Sequence, residues 1–163
     1  MLEARGQYRF MCDADLSMPI DEVNKFLPPH KPGFDVAIGS REVPGAVRYD
    51  EPFYRHFGGR LINFVIRLLI LPRLQDTQCG FKCFRAEAAE NLFGQQLMDG
   101  WSFDIEVLYL AEQAGYKIVE VPIHWYYRSE SKVNAVRDAA RMIGDILLIR
   151  SNMRRGLYHA SRS

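Results

Sequence analysis

Short strand patterns alternate with longer helical patterns along this chain, and that alternation constrains the fold more than any other feature. The segments that predict strands are residues 8–12, residues 34–39, the part of residues 75–85 that follows a turn, and residues 118–123, which residues 125–127 extend. The segments that predict helices are a short one from residue 19 that ends by residues 28–29, residues 53–71, residues 86–93, one that follows residues 100–106 and ends at residue 114, and residues 135–150. Strands separated by helices are typical of an α/β domain, here with a mixed sheet flanked by helices.

The length and charge of the chain predict one domain followed by a basic tail. A chain of 163 residues has the size of a single domain. Residues 128–163 contain eight Lys or Arg against three Asp or Glu, whereas the whole chain has a net charge of only +1. We predict a domain over residues 1–150 and a basic tail over residues 151–163. The basic end suits phosphates, an anionic membrane surface or a solvated helix face, and we expect no nucleic-acid partner.

A pair of carboxylates follows the first predicted strand. Asp13 and Asp15 are one residue apart at the tip of residues 8–12. A strand tip is rigid, and an Asp-x-Asp pair there can bind one hard divalent cation through oxygen. The alternative is that both residues shape the turn and cap the helix that begins near Pro19. The pattern is short, so the rest of the chain must decide between them.

Four polar clusters fall at strand ends or in loops. They are Asp13 with Asp15, Ser40 with Arg41, Asp76 and Gln78 with Lys82, and Asp104 with Glu106. The carboxyl ends of strands in an open α/β sheet border a common crevice. Carboxylates, a divalent cation and an Arg in one crevice suit a substrate that bears a diphosphate.

The apolar helix predicted over residues 53–71 has two interpretations. Its apolar residues cover more than half of its circumference, and Arg60 and Arg67 share one face. The pattern favours a core helix, and the alternative is a helix that lies in a membrane interface with its arginines toward lipid phosphates.

Residues 42–52 predict a loop that serves as a mobile flap. The aromatic residues Trp101, Trp125 and Tyr126 are predicted as core residues rather than sugar platforms.

Six motifs in this order resemble one known family. They are Asp-Ala-Asp-Leu-Ser-x-Pro, Gly-Ser-Arg, Asp-x-Gln-Cys-Gly-Phe-Lys-x-Phe, Trp-x-Phe-Asp-x-Glu, Glu-Val-Pro-Ile-x-Trp and Ser-Lys-Val. The chain is similar over residues 1–150 to the inverting family 2 glycosyltransferases. Within them it most resembles the polyprenyl- and dolichyl-phosphate sugar synthases, and the dolichyl-phosphate glucosyltransferase branch in particular.

The resemblance implies a fold, a reaction and roles for particular residues. It implies a GT-A fold, a nucleotide-sugar donor such as UDP-glucose or GDP-mannose, and a polyprenyl-phosphate acceptor at the cytosolic membrane face. It implies Mg²⁺ or Mn²⁺ on Asp13 and Asp15, and catalytic roles for Asp76 and Asp104. Candidates for binding the donor diphosphate or the acceptor phosphate are Arg41, Gln78, Lys82, Arg60, Arg128 and Lys132.

The chain also departs from the family pattern. The first half of the family domain, which binds the nucleotide base, has no counterpart here, and residues 1–6 predict the last turn of a helix ending at Gly6. Ser17 stands where some lipid-phosphate mannosyltransferases have a Gln near the metal. Two alternatives therefore remain open: a family 2 enzyme with a non-lipid acceptor, and an inactive fragment that acts as a membrane-peripheral interaction domain.

Overall fold

The structure is a computed structural model, and it describes residues 1–15, 17–28, 30–127 and 135–158. Side chains are described throughout these ranges except at residues 54–57 and 135–139. The strands are β1 Tyr8–Cys12, β2 Val36–Ser40, β3 Val47–Tyr49, β4 Phe81–Arg85, β5 Ile118–Pro122 and β6 His124–Tyr126. The helices are α1 Phe53–Leu69, α2 Ala86–Gln95, α3 Phe103–Gln113 and α4 Ala135–Arg154, with short 3₁₀ helices at Ile20–Lys25 and Gly100–Ser102.

Four of the strands form a mixed sheet in the order β1-β4-β2-β5. β4 runs antiparallel to both β1 and β2, whereas β2 and β5 are parallel. The carboxyl ends of β1, β2 and β5 therefore lie on the same side of the sheet, and β4 begins on that side. The predicted α/β fold with a mixed sheet is confirmed, and β5 lies at the sheet edge with Pro122 in its last pair, as Pro in a strand favours.

The two faces of the sheet are covered by different parts of the chain. Val36 and Ile38 of β2 pack among the apolar residues of all four helices, and both are fully buried. Ala37, which points to the other face, packs with Phe26, Phe34 and neighbouring apolar side chains. This alternation explains why β2 is apolar throughout, since a strand buried on both faces has no solvent-facing positions.

Residues 42–52 are not a loop throughout, which corrects part of one prediction, while the mobility of this segment stays a prediction. They contain β3, which pairs in parallel with β6 as a separate two-stranded sheet. Arg48 in β3 forms ion pairs with Glu42 and Glu51 on either side of it. Trp125 likewise lies in β6 rather than in an extension of β5. Both errors have one cause: the pairing of β3 with β6 joins residues more than seventy positions apart, which local patterns do not show.

The ends of the chain differ from the prediction as well. Residues 1–6 form turns instead of a helix, and Arg9 donates hydrogen bonds to the carbonyl oxygens of Met1 and Gly6. So short a segment gains too few helical hydrogen bonds to offset nucleation. At the other end, α4 continues to Arg154, four residues beyond the predicted end. Within the described residues, no helix is both long and apolar enough to cross a lipid bilayer.

Candidate active site

The site lies on the side of the sheet where β1 and β2 end and β4 begins. Asp13 follows β1, Arg41 follows β2, and Gly80 directly precedes β4. The backbone N–H of Asp13 donates to the carbonyl oxygen of Gly80 at 3.0 Å, which joins two of these segments. The antiparallel direction of β4 is therefore what brings the third motif to the strand ends of the first two.

Arg41 and Asp76 form a buried ion pair with three hydrogen bonds. Asp76 is fully buried, and its Oδ2 accepts from the backbone N–H and the Nε of Arg41 at 3.0 and 2.7 Å. Its Oδ1 accepts from Nη2 at 2.9 Å. Burial alone would raise the pKa of Asp76, but the charge and hydrogen bonds of Arg41 outweigh it and hold the pKa at about 2. In this geometry Asp76 orients Arg41, and its predicted catalytic role remains a prediction.

Glu120 holds the Asp76 loop and was not singled out in the sequence. Its two carboxylate oxygens accept from the backbone N–H groups of Gln75 and Asp76, each at 3.0 Å. Glu120 lies on β5, so the neighbouring strand fixes the loop that in turn fixes Arg41. The only signal in the sequence was its place in the Glu-Val-Pro-Ile motif, which carries no hint of a backbone partner.

Lys82 and Asp104 form a second ion pair. Lys82 is 1% exposed, and its Nζ lies 3.0 Å from Oδ1 of Asp104 and also donates to the carbonyl oxygen of Cys79. Burial raises the pKa of Asp104, and the positive charge of Lys82 opposes that rise. Asp104 also lies in the first turn of α3, where the helix dipole favours a negative charge. Lys82 thus neutralises a carboxylate in this structure, and its predicted phosphate contact remains a prediction.

Asp13 and Asp15 are both solvent-accessible, on the loop that follows β1. A Cβ atom built on Gly80 would collide with the carboxylate of Asp13, so only glycine leaves room for that side chain. Partial burial, and then the nearby charge of Asp15, raise the pKa of Asp13. Asp15 shapes the loop as well, since its Oδ1 and Oδ2 accept from the backbone N–H and the hydroxyl of Ser17, each at 2.9 Å. The turn interpretation thus applies to Asp15, and it does not exclude a metal ligand.

The two aspartates fit a divalent cation that takes its other ligands from a substrate. Within the described residues, no group of three or more His, Cys, Asp or Glu side chains converges. Mg²⁺ commonly binds through one or two carboxylates together with substrate phosphates and water. The repulsion between Asp13 and Asp15 is what such a cation would relieve. The residues present therefore suit Mg²⁺ or Mn²⁺ that arrives with a diphosphate.

A cavity of about 480 Å³ opens beside Asp13 and Asp104, whereas Asp15, Arg41, Asp76 and Lys82 do not line it. Its lining combines polar side chains with apolar ones: Met11, Asp13, Gln78, Gly80, Gly100, Trp101, Phe103 and Asp104. The Nε2 atom of Gln78 is buried and has no hydrogen-bond partner. A buried donor without a partner is costly, so this atom is suited to a polar group of a ligand. The predicted residues Asp13, Gln78 and Asp104 are thus brought together.

Other predicted residues lie elsewhere. Arg60 is on the exposed side of α1, 4.0 Å from Glu42, and does not line the cavity. Arg128 and Lys132 lie outside the described residues. Glu106 is completely buried and accepts from the backbone N–H of Met98 and the hydroxyl of Tyr158, so it supports the fold and not the site.

The aromatic residues are less buried than predicted. Trp101 is 74% exposed, which overturns its assignment to the core. Tyr126 is 37% exposed and stacks on Tyr49 with ring centroids 4.4 Å apart. Trp125 is half-buried beneath the guanidinium groups of Arg41 and Arg48, at 5.4 and 6.0 Å from its ring centroid. Trp125 and Tyr126 belong to the surroundings of the site because β6 passes beside the loop of Asp15, where the N–H of Tyr126 donates to the carbonyl oxygen of Ser17.

Comparison with known proteins finds relatives that are named as glycosyltransferases. The chain is 35% identical over 145 residues to the glycosyltransferase AglD of Haloferax volcanii, covering 88% of this chain and 23% of that protein. It is 32% identical to the dolichyl-phosphate beta-glucosyltransferase ALG5C of Trichomonas vaginalis, covering 96% of this chain and 48% of the relative. The dolichyl-phosphate beta-glucosyltransferase of Saccharomyces cerevisiae is 30% identical, with 99% and 52% covered. The chain thus spans about half the length of these two glucosyltransferases.

A solved structure and a family model complete the comparison. The glucosyl-3-phosphoglycerate synthase of Mycobacterium tuberculosis, solved with UDP, superposes with a TM-score of 0.59 at 15% identity, covering 91% of this chain and 51% of that one. This likeness confirms the predicted GT-A fold. The model of glycosyl transferase family 2 matches residues 1–93, more than half of the chain. With its motifs, its fold and this match, the chain belongs to glycosyl transferase family 2.

Proposed function

We propose that the protein is an inverting hexosyltransferase that moves a sugar from a nucleotide-sugar donor to a polyprenyl or dolichyl phosphate. The observation that carries this proposal is the cavity between Asp13, Gln78 and Asp104 at the ends of β1 and β2. The relatives that bear the name dolichyl-phosphate beta-glucosyltransferase support this acceptor, and they favour UDP-glucose over GDP-mannose as donor.

The cation and Arg41 are proposed to meet the donor diphosphate. Mg²⁺ or Mn²⁺ bound by Asp13 and Asp15 would supply Lewis-acid stabilisation of the diphosphate leaving group. Arg41 is held in place by three hydrogen bonds to Asp76, so its guanidinium is oriented before a substrate binds. Such preorganisation lowers the cost of binding a phosphate.

Asp104 is proposed to orient a substrate hydroxyl or the acceptor. A phosphate monoester has a second pKa of about 6 and is largely dianionic at neutral pH, so it attacks without a strong general base. Asp104 borders the cavity and pairs with Lys82, whose positive charge favours the charged carboxylate and so opposes the rise in pKa that burial causes. A charged carboxylate accepts hydrogen bonds strongly, which suits positioning.

A membrane surface is the proposed location of the reaction, at its cytosolic face. Leu61, Phe64 and Leu68 are 55%, 60% and 73% exposed on one side of α1. Arg60 and Arg67 flank them, in the arrangement that suits lipid phosphates. An acceptor with a long apolar chain is delivered from such a surface, which favours the lipid acceptor over a soluble one.

The test is transfer by the purified chain. It is incubated with Mg²⁺ or Mn²⁺, radiolabelled UDP-glucose or GDP-mannose, and a polyprenyl phosphate, and label is measured in the organic phase. We expect label with one donor and its loss in Asp15→Ala, whereas Asp35→Asn at the opposite end of β2 should retain it. Absence of transfer together with absence of nucleotide binding by calorimetry would contradict the proposal for this chain. Unchanged transfer in Asp15→Ala would remove the metal role.

A further inference from the structure

We propose that Trp101 is the stacking platform for the sugar ring of the donor, an inference that rests on the proposed function. Trp101 is 74% exposed and borders the cavity that also contains Asp13 and Asp104. An exposed indole has a large apolar surface in contact with water. Because Trp101 lies at the mouth of a polar cavity, a ligand in the cavity can stack on this apolar surface.

The backbone around Trp101 is held firmly while its side chain is left in solvent. Gly100 has a φ of +76°, a left-handed conformation that favours glycine. On the other side, the hydroxyl of Ser102 donates to Oδ2 of Asp145 in α4 at 2.6 Å. The 3₁₀ helix Gly100–Ser102 is therefore fixed between α3 and α4. A ring presented on a fixed backbone loses little freedom when a ligand stacks on it.

The polar groups of the same cavity identify the ligand as a sugar rather than a prenyl chain. Nε2 of Gln78 is a buried donor without a partner, and the carboxylate of Asp104 is an acceptor. A hexose has apolar C–H faces and hydroxyl groups around its rim, so it can cover an aromatic ring and bond to both polar groups. A prenyl chain would leave both polar groups unpaired, which is unfavourable.

Two tryptophans make the inference measurable by fluorescence. The chain contains Trp101 and Trp125 only, and Trp125 is half-buried beneath Arg41 and Arg48. We expect UDP-glucose or GDP-mannose to change the emission of the wild-type chain more than UDP or GDP does, and this sugar-dependent part of the change to be absent in Trp101→Phe, where only Trp125 beside Arg41 remains. UDP and GDP, which lack the sugar, should leave the Trp101 component unchanged.

Calorimetry then measures the energetic contribution of the ring. Trp101→Ala should weaken binding of the sugar nucleotide roughly tenfold, the size of one aromatic contact, and leave binding of UDP or GDP as in the wild type. The affinity of Trp101→Phe for the sugar nucleotide should fall between that of Trp101→Ala and that of the wild type. Phe53→Ala is the matched control, because Phe53 is an aromatic residue 83% exposed outside the cavity lining.

The outcomes separate this inference from the proposed function. Sugar-nucleotide binding of equal affinity in the wild type and Trp101→Ala overturns the inference alone. An emission change with a polyprenyl phosphate but not with the sugar nucleotide also overturns it, and assigns Trp101 to the lipid. Absence of binding by every nucleotide and sugar nucleotide, by both methods, overturns the proposed function and the inference together.

Discussion

Asp76 shows how single residues control the geometry of this site. It is fully buried, yet it carries a charge, because Arg41 surrounds it with three hydrogen bonds and Glu120 holds its backbone. Gly80 acts instead through its lack of a side chain, which leaves the space that the carboxylate of Asp13 occupies. Both residues influence the cavity through the groups that they position.

Asp76→Asn should destabilise the fold by about 3 kcal/mol, because it leaves the charge of Arg41, whose side chain is only 18% exposed, without its carboxylate partner. The measurement is the free energy of unfolding in urea. Asp35→Asn is the control, since Asp35 pairs with Arg85 where both side chains are partly exposed, and its loss should cost less than about 1 kcal/mol. Equal effects of the two substitutions would contradict the role assigned to burial.

The same residue predicts a dependence of stability on pH. The pKa of Asp76 is lowered from 3.8 to about 2, so its contribution is fully present above the unfolded value and is lost as pH falls through about 2. The difference in unfolding free energy between the wild type and Asp76→Asn should be constant near neutral pH and shrink between about pH 4 and pH 2. A difference that instead disappears near neutral pH would show that another group is responsible.

Gly80→Ala should reduce sugar transfer on the order of a hundredfold with little change in stability. The new Cβ would displace the Asp13 carboxylate, a movable side-chain end, and a misplacement of about 1 Å is enough for such a loss. Gly94→Ala is the matched control, because a Cβ there meets no atom within 4 Å. Transfer by Gly80→Ala at the wild-type rate would mean that the position of Asp13 does not matter.

At the scale of elements, α1 divides its apolar residues between two environments. Ile66 is completely buried against the sheet, whereas Leu61, Phe64 and Leu68 face solvent. The two sequence interpretations, a core helix and an interfacial helix, therefore describe opposite sides of one helix. Its buried side supports the fold, and its exposed side is the proposed membrane contact.

Replacing Phe64 and Leu68 together by Ser should reduce binding to anionic phospholipid vesicles at least tenfold, since each side chain contributes apolar area to the contact. Cosedimentation measures the binding, and thermal unfolding checks that the fold is unchanged. Ile20→Ser is the control, because Ile20 is 71% exposed on a different element. Vesicle binding that is equal in all three proteins would contradict a role of α1 at the membrane.

At the scale of the whole molecule, α4 joins parts of the chain that are distant in sequence. Nη1 of Arg150 donates to the carbonyl oxygen of Leu69 at 3.0 Å, and Asp145 accepts from Ser102 beside the cavity. Beyond the helix, the hydroxyl of Tyr158 donates to Oε1 of the buried Glu106 at 2.7 Å. Residues 151–158, predicted as the start of a tail, are therefore part of the packed domain.

Tyr158→Phe should lower the free energy of unfolding by about 1 kcal/mol, since it removes a hydrogen bond to a buried carboxylate. Chemical denaturation measures the change. Tyr126→Phe removes a hydroxyl from a partly exposed ring and should have little effect by comparison. An unchanged free energy of unfolding in Tyr158→Phe would show that the tail contributes no stability through Glu106.

The sequence by itself determined the α/β class, the bounds of most strands and helices to within a few residues, and the family. These depend on local periodicity and on short motifs, which are properties of neighbouring residues. Only the tertiary structure decided that β4 runs antiparallel and brings Asp76 to Arg41, that Glu120 holds their loop, and that Glu106 belongs to the fold. It likewise decided that Trp101 faces the cavity. Each of these depends on contacts between residues far apart in the chain, and local patterns carry no information about such contacts.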